Sequence, residues 1–454
     1  MNKGIVLAGL LAVSLAAQSA WAKTLEEVLK EKGVITEADF NEIMKDKPKT
    51  PPVSYKLGQG MTFTSPDEKF QLAISGQMQF RYSFFDNDGP GVGNKSEWRI
   101  RRLKTNFNGY AFTKDLTFKM NLNWANLLNN GNGSTVIEET FLNYRIIDEA
   151  QVRVGQDKVQ YGRNWIVPSS QNEFVETAFV TDAFKPGYDI GLGVNGSAMK
   201  GLLTYAAQWM GGRGQNTVSN TNNNSYTFRL AVNPLGDMKY TEADIDMSPK
   251  PLFSVGGSYY HDTLKATSVT TTSAAGAATT LTTFESNNLN YAQTSGWLGR
   301  NTKRFDVPVS GLAPSKTASV SQNVNINTFE TDMAFKWMGL FVQSEYFWGQ
   351  GTGYNNSNLI SNGFYVQAGY MILPKHLELA VRYAWMDYNR ATPNNNQTEV
   401  QGAISWYFEG HNLKIQTDIT KQNQQVNNTS LIKGQNINVP LDNTIYRVQT
   451  QLLF

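Results

Sequence analysis

One stretch of the chain places basic residues at a spacing typical of a β-strand. They share the polar face of two consecutive predicted strands: Arg99, Arg101 or Arg102, Lys104 and Lys119. Arginine suits oxyanion binding because its planar guanidinium donates two parallel hydrogen bonds and keeps its charge. The stretch therefore indicates a surface that attracts small anions such as phosphate or carboxylates.

The two halves of this stretch predict a β-hairpin. Apolar and polar residues alternate from residue 116 to residue 124, which gives a strand one apolar and one polar face. Residues 98–108 follow the same rule only if a one-residue β-bulge falls at Arg101/Arg102. Thr113 to Asp115 is then the predicted turn. A soluble sandwich has the same alternation, so repetition and connections must decide the fold.

The alternation recurs sixteen times between Phe70 and Phe454. The first segment, from Phe70 to Phe84, is about twice the usual strand length of ~5 to 6 residues. Strands of roughly ten residues or more suit a tilted barrel that crosses a bilayer. No later segment reaches the ~18 apolar residues of a spanning helix. The pattern favours membrane-spanning strands.

The connections alternate between short and long. Short ones occur at 113–115, 148–150, 196–200, 337–339, 374–376 and 409–412, with a longer exception at 233–250. Long ones, rich in Asn, Gly, Ser and Thr, occur at 86–96, 127–135, 158–187, 212–225, 262–324, 350–362, 389–398 and 425–443. Outer-membrane barrels have short periplasmic turns and long outer loops. The predicted fold is all-β, a 16-stranded antiparallel transmembrane β-barrel with a short N-terminal periplasmic helical segment.

The N-terminal region predicts export. Lys3, an apolar run and the small residues around Ala22 indicate a signal peptide over residues 1–22. Residues 23–52 are predicted as a periplasmic helical segment with a proline-containing linker, and residues 53–454 as the barrel. The helical segment would dock on the barrel, pair with a neighbouring chain or remain a frayed leader. The expected location is the bacterial outer membrane.

Composition argues against several other functions. The chain has no cysteine and only three histidines, so neither a thiolate metal site nor a histidine-based triad is expected. A net charge of +2 carries no general nucleic-acid signature. The G-x-G-x-x-G letters at 191–196 precede a turn and a strand rather than a helix, so they do not indicate dinucleotide binding. Glu138 and Glu139, as strand neighbours, are expected to point to opposite faces. We therefore expect no enzyme and no cofactor.

Charge on the polar faces is unevenly distributed, with bases in the first half and acids in the second. The third long loop, residues 158–187, carries five aromatic residues, which predicts that it folds into the lumen and narrows it. A loop packed across the barrel mouth or on a neighbouring subunit is the alternative. The candidate anion-binding residues are Arg81, Arg99, Arg101, Arg102, Lys104, Lys119, Arg153, Lys158, Arg163 and Arg229. Alternatively, such charges simply solvate a wide channel.

Four segments carry a family resemblance. Arg99–Lys104, Lys114–Lys119, Val152–Lys158 and Lys185–Gly193 resemble the phosphate-selective porin O and P family of Gram-negative outer membranes, over roughly Tyr55 to Phe454. The resemblance implies a trimeric barrel with an inward third loop and an anion-selective channel that needs no energy source.

The expected function is passive diffusion of phosphate or similar small oxyanions. The expected partners are outer-membrane lipid and lipopolysaccharide, two further copies in a homotrimer and small anionic solutes, but no nucleic acid. Two other functions stay open from sequence. One is a barrel that serves as a structural sheath or anchor for a partner such as an electron-transfer lipoprotein; the other is a secreted enzyme or adhesin.

Overall fold

A computed structural model describes most of the chain. The described residues are 29–40, 53–88, 93–130, 136–218, 222–285, 289–293, 295–353, 357–425 and 441–454. By its internal contacts the chain divides into residues 1–51 and residues 52–454. The signal peptide predicted over residues 1–22 lies outside the described residues.

The described part of the first unit is helical at residues 29–31 and 37–40. Thr36 caps the second helical segment. Its hydroxyl accepts a hydrogen bond from the Asp39 amide at 3.2 Å, and its own amide donates to the Asp39 carboxylate at 2.9 Å. Such reciprocal capping satisfies amide groups at a helix start that have no partner within the helix.

The second unit consists mainly of strands. Their bounds are β1 Val53–Lys56, β2 Gly60–Thr64, β3 Phe70–Asn87, β4 Lys95–Ala111, β5 Thr113–Asn123, β6 Ile137–Ile147, β7 Ala150–Lys158, β8 Tyr188–Ala198, β9 Leu203–Met210, β10 Ser225–Val232, β11 Leu252–Thr272, β12 Ala278–Phe284, β13 Thr317–Trp337, β14 Leu340–Thr352, β15 Asn358–Leu373, β16 Leu377–Asp387, β17 Asn396–Tyr407, β18 Leu413–Gln424 and β19 Leu441–Leu453. Short helices are α1 Ala125–Asn130, α2 Arg163–Ile166 and α3 Phe179–Phe184, with 3-10 turns at Asn290–Ala292 and Gly299–Phe305.

Sixteen of these strands close into an antiparallel barrel. Strand β19 pairs with β3, from Asn443 opposite Asn87 to Leu453 opposite Gln77. The β1–β2 hairpin pairs with the start of β3, and β12 pairs with the end of β11. Closure satisfies the backbone of every barrel strand through its neighbours, which a strand in lipid requires. The sixteen-stranded prediction is confirmed.

The two faces of the barrel have opposite polarity. In β17, Val400, Ile404 and Trp406 point outward and are exposed, whereas Gln401 and Ser405 point inward and are buried. An outward apolar band is what a barrel presents to lipid. Among the helices in the described ranges, none combines the length and apolarity needed to cross a bilayer.

The predicted connections at 262–324 and 113–115 differ from the structure. Strand β11 continues to Thr272 and β13 begins at Thr317, so much of the predicted 262–324 loop is strand. Its threonines explain the difference, because β-branched side chains favour strands and hydroxyl pairs such as Thr270–Thr280, at 3.0 Å, link them. The first turn lies at Phe112 rather than at Thr113–Asp115, since β5 already begins at Thr113.

The interior is filled unevenly. Along β13 to β18 the inward side chains are mostly buried, whereas along β4 to β7 many remain only half-buried. An inward side chain of a wide barrel is buried from solvent where other segments of the chain fill the lumen beside it. One half of the lumen is therefore packed, and the half beside β4 to β7 is open.

Candidate functional site

A β-bulge turns two consecutive arginines into the lumen. Gln79 of β3 is opposite Arg102, but the next residue, Phe80, is opposite Ile100, so Arg101 is the extra residue. The bulge lies where the sequence predicted it. The sequence left open whether Arg101 or Arg102 faces inward, and the structure turns both inward.

The two arginines meet a carboxylate of the third long loop, which we call L3 (residues 158–187). The Glu176 carboxylate accepts hydrogen bonds from Arg81 Nη1 at 2.7 Å, from Arg101 Nε and from Arg102 Nη2 at 3.4 Å. Burial raises the pKa of Glu176, but the three guanidinium groups lower it more, and this pKa lies well below its ordinary value. Glu176 is therefore ionised at neutral pH.

A second bulge places two acids beside the basic wall. Asn121 is opposite Glu139, whereas Leu122 is opposite Ile137, so Glu138 is the extra residue. Both carboxylates line the lumen, where Glu138 pairs with Lys104 at 2.5 Å and Glu139 with Lys119 at 2.6 Å. The expectation that these neighbours point to opposite faces was wrong, because the bulge interrupts the alternation.

Arg153 and Lys158 continue the basic wall along β7. Arg153 pairs with Asp157 at 2.6 Å and lies over the Phe141 ring. The Lys158 ammonium donates to the Trp165 carbonyl at 2.8 Å and lies over the Trp165 ring. Lys158, the first residue of L3, is thus held against Trp165 at the edge of the open half of the lumen.

L3 packs on the inner face of the opposite wall. Its rings Tyr161, Phe174 and Phe184 are fully buried. Oε2 of the Glu173 carboxyl group accepts from Gln367 Nε2 at 2.9 Å, and the Glu173 backbone carbonyl accepts from Gln416 Nε2 at 2.8 Å. The prediction that this loop folds into the lumen is confirmed by these contacts with strands β15 and β18.

A second segment, residues 233–250, fills the lumen from the other end. We call it T4; it is the one long member among the short turns. The buried Glu242 carboxylate of T4 accepts from Asn164 Nδ2 at 2.6 Å and from the Glu173 amide at 2.8 Å. Sequence reasoning recorded the unusual length of this turn but did not predict that it folds inward onto L3.

Arg163 and Arg229 lie in the packed half and not on the open wall beside β4 to β7. Arg229 pairs with Asp332 at 2.7 Å and Glu330 at 3.1 Å, while Arg163 lies 3.9 Å from Asp332. Arg163 is 1% exposed, which contradicts its prediction as an anion-binding residue of the channel lining. L3 carries this side chain into the acidic wall, where it offsets buried carboxylates.

Three carboxylates in this cluster lie close enough together to share a cation. Ligand oxygens of Glu330, Asp332 and Glu345 lie within 4.8 Å of one another. Oxygen ligands suit hard cations such as Ca²⁺. Here, however, Arg229 already neutralises two of the three, so the geometry favours an internal ion-pair network.

Arg81 and Arg99 occupy the two sides of the cluster around Glu176. Arg81 is 3% exposed because Glu176 covers it, and its Nη2 donates to Gln449 at 2.7 Å. Arg99 is more exposed and lies 3.4 Å from Glu97. Arg101 and Arg102 are therefore the guanidinium groups of this cluster that line the cavity described next.

A cavity of about 420 Å³ lies between L3 and strands β4 to β7. Its seven basic and five acidic side chains give the lining a formal charge of +2: Arg101, Arg102, Lys104, Lys119, Arg153, Lys158 and Lys185 against Glu138, Glu139, Asp157, Glu176 and Asp182. A second cavity of about 290 Å³ shares Arg153, Asp157 and Gln160 with it and continues along β7 to β9, with Arg229 at its edge. Glu176 and Lys185 also line the cavity but were not among the residues predicted from the sequence. Their position in the aromatic-rich loop L3 was the signal that could have indicated them.

Comparison with solved structures supports the fold. A loop-deletion form of OmpT, an outer membrane protein of Vibrio cholerae, has a TM-score of 0.52 at 10% identity, covering 85% of this chain and 100% of that chain. A trimer form of OmpT has a TM-score of 0.51 at 8% identity, covering 85% and 99%. An anion-selective porin from Comamonas acidovorans has a TM-score of 0.52 at 9% identity, covering 85% and 100%.

No curated protein matches the sequence of this chain. The family described as phosphate-selective porin O and P matches it over residues 72–304 and 310–454. These ranges include nearly all of the barrel, together with the basic wall and L3. The chain therefore belongs to the phosphate-selective porin O and P family and is an outer-membrane porin.

Proposed function

We propose that this porin is an anion-preferring channel for passive diffusion of phosphate or similar small oxyanions. The observation that carries the proposal is the placement of L3. L3 covers the wall that holds Glu330, Glu345 and Glu378 and leaves open the wall that holds Arg101, Arg102 and Lys119. A solute in the open half therefore meets a lining with more basic than acidic groups.

The physical consequence is a lower barrier for anions. A cleft with an excess of one charge raises the local concentration of the opposite charge, and low-dielectric walls strengthen this effect. The pairing of most bases with acids keeps the excess small, which suits a channel that must also release its solute. Family membership supports the same solute class.

The proposed assembly is a homotrimer in contact with outer-membrane lipid and lipopolysaccharide. The trimer form of OmpT and the exposed apolar residues around the barrel support this assembly. The proposed site residues are the lumen bases of β4, β5 and β7, led by Arg101 and Arg102. Arg99, which is partly exposed, would attract anions at the rim of the cavity. Arg81 and Arg229 are buried and would contribute only through their electrostatic potential.

The reversal potential of single channels in a potassium chloride gradient tests the proposal. We expect anion preference in the wild type and a weaker preference after replacement of Arg99, Arg101 and Arg102 by serine. Lys114→Ser is the matched control, because Lys114 is an exposed residue that pairs with Glu68 away from the cavity. Cation preference in the wild type, or the absence of conductance, would overturn the proposal.

A further inference from the structure

Three guanidinium groups surround the carboxylate of Glu176. Arg81, Arg101 and Arg102 come from two adjacent strands and direct guanidinium groups at a single carboxylate. Guanidinium groups bind carboxylate and phosphate oxygens through the same hydrogen-bonding pattern. The Glu176 carboxylate thus occupies the position in which the same three groups would hold a carboxylate or phosphate of a solute.

The site lies beside the cavity and is reachable from it. Arg101, Arg102 and Glu176 all line the cavity of about 420 Å³. The exposed fraction of the side chain is 27% for Arg101 and 15% for Glu176. A small oxyanion in the cavity can therefore reach donors of Arg101 and Arg102 while Glu176 remains in place.

L3 does not depend on the Glu176 carboxylate to stay in position. Arg382 Nη2 donates to the backbone carbonyl of Glu176 at 2.8 Å, and Arg81 Nη2 donates to the carbonyl of Val175 at 3.1 Å. Glu173 is held by Gln367, as described above. Loss of the carboxylate charge should leave the backbone of this segment where it is.

We propose that Glu176 is a specificity-determining residue, a tethered anion that competes with solute oxyanions for Arg101 and Arg102. The inference rests on the proposed anion-preferring function and deepens it. Glu176 reduces the net charge of the three-arginine cluster from +3 to +2. It thereby weakens solute binding and shortens the time a solute oxyanion spends in the channel.

The test compares the wild type with Glu176→Gln, which keeps the shape of the side chain and removes its charge. Purified channels in planar bilayers at neutral pH carry chloride current while inorganic phosphate is added. We expect half-inhibition of the chloride current in Glu176→Gln at about tenfold lower phosphate concentration, since one competing charge is gone. Glu176→Asp retains a carboxylate and should stay within about twofold of the wild type.

Asp182→Asn is the matched control. Asp182 belongs to L3 and lines the same cavity, but it accepts hydrogen bonds from Thr177 and Lys185 and none from the three arginines of the cluster. An equal gain in phosphate inhibition for Asp182→Asn and Glu176→Gln would overturn the inference, because any acid in the cavity would then have the same effect. Unchanged inhibition in a folded Glu176→Gln channel would overturn it as well.

The two proposals fail in different ways. Cation preference in the wild-type channel overturns the proposed function, and the inference falls with it. Anion preference in the wild type with no response to Glu176→Gln overturns the inference alone. Retention of the compact form in unheated gel samples shows that each variant has folded.

Discussion

Arg101 and Arg102 are consecutive residues of one strand, yet both side chains reach the carboxylate of Glu176. Regular alternation would send one of them to lipid, where an arginine costs about 2–4 kcal/mol at the bilayer midplane. The bulge at Arg101 avoids this cost and doubles the guanidinium density at one level of the lumen. A local irregularity of the backbone thus places one additional positive charge in the lumen.

Deletion of Arg101 tests the bulge. Because Arg101 has no opposite residue, its removal should restore regular pairing without shifting Arg99 or Arg102 to the outer face. We expect a folded barrel whose anion-to-cation permeability ratio falls roughly twofold, the effect of about 0.4 kcal/mol in local potential. The reversal potential measures the ratio. Arg101→Gln is the control, because it removes the same positive charge as the deletion but keeps the bulge. Loss of the heat-modifiable folded form after the deletion would contradict the assigned bulge.

The carboxyl of Glu173 predicts a pH dependence of stability. Burial raises the pKa of Glu173 well above its ordinary value of 4.5, and the neighbouring acids Glu378 and Glu242 raise it further. The folded chain therefore retains a proton that the unfolded chain releases. The stability that Glu173 contributes is complete below about pH 4.5 and is lost as the pH rises through the raised pKa.

We expect the free energy of unfolding to fall as the pH rises above about 4.5 and through the raised pKa of Glu173. Glu173 contributes at most about 1.4 kcal/mol per pH unit. Glu173→Gln mimics the protonated form and should flatten this part of the curve. Urea unfolding of the channel in lipid vesicles, followed by tryptophan fluorescence, gives both curves. Parallel curves for the two proteins would show that Glu173 does not carry the retained proton.

Gly369 of strand β15 leaves space for the carboxyl group of Glu173. A Cβ atom at position 369 would overlap Glu173 Oε1 and lie 2.9 Å from Glu378 Oε1. Because Glu173 is fully buried, Gly369→Ala should displace its carboxyl group and loosen the contact of L3 with the wall, at a cost of about 1–3 kcal/mol in unfolding free energy. Because L3 narrows the lumen, we also expect larger single-channel conductance.

Gly402→Ala is the control for this change. Gly402 lies on strand β17, and a Cβ there meets no atom of the described residues within 4 Å. The alanine at 402 should leave both conductance and stability close to wild type. Equal behaviour of the two alanine variants would mean that L3 does not rest on Gly369.

The sequence alone predicted the barrel because strand polarity is a local property. Residues two positions apart share a face, so the alternation, the sixteen segments and the short and long connections are all visible along the chain. The bulge at Arg101 and Arg102 was predicted for the same reason, since it interrupts an otherwise regular pattern. The inward orientation of both Glu138 and Glu139 was not predicted, because no regular pattern on that segment required a second bulge.

Tertiary structure decided which half of the lumen is open and which bases face it. That choice depends on contacts between residues far apart in the chain, such as Glu176 with Arg81, Glu173 with Gln416 and Asn164 with Glu242. Alternation assigns a side chain to the inside of a barrel but does not say what covers it there. Only packing of L3 and T4 on the acidic wall determines that the basic wall lines the open space.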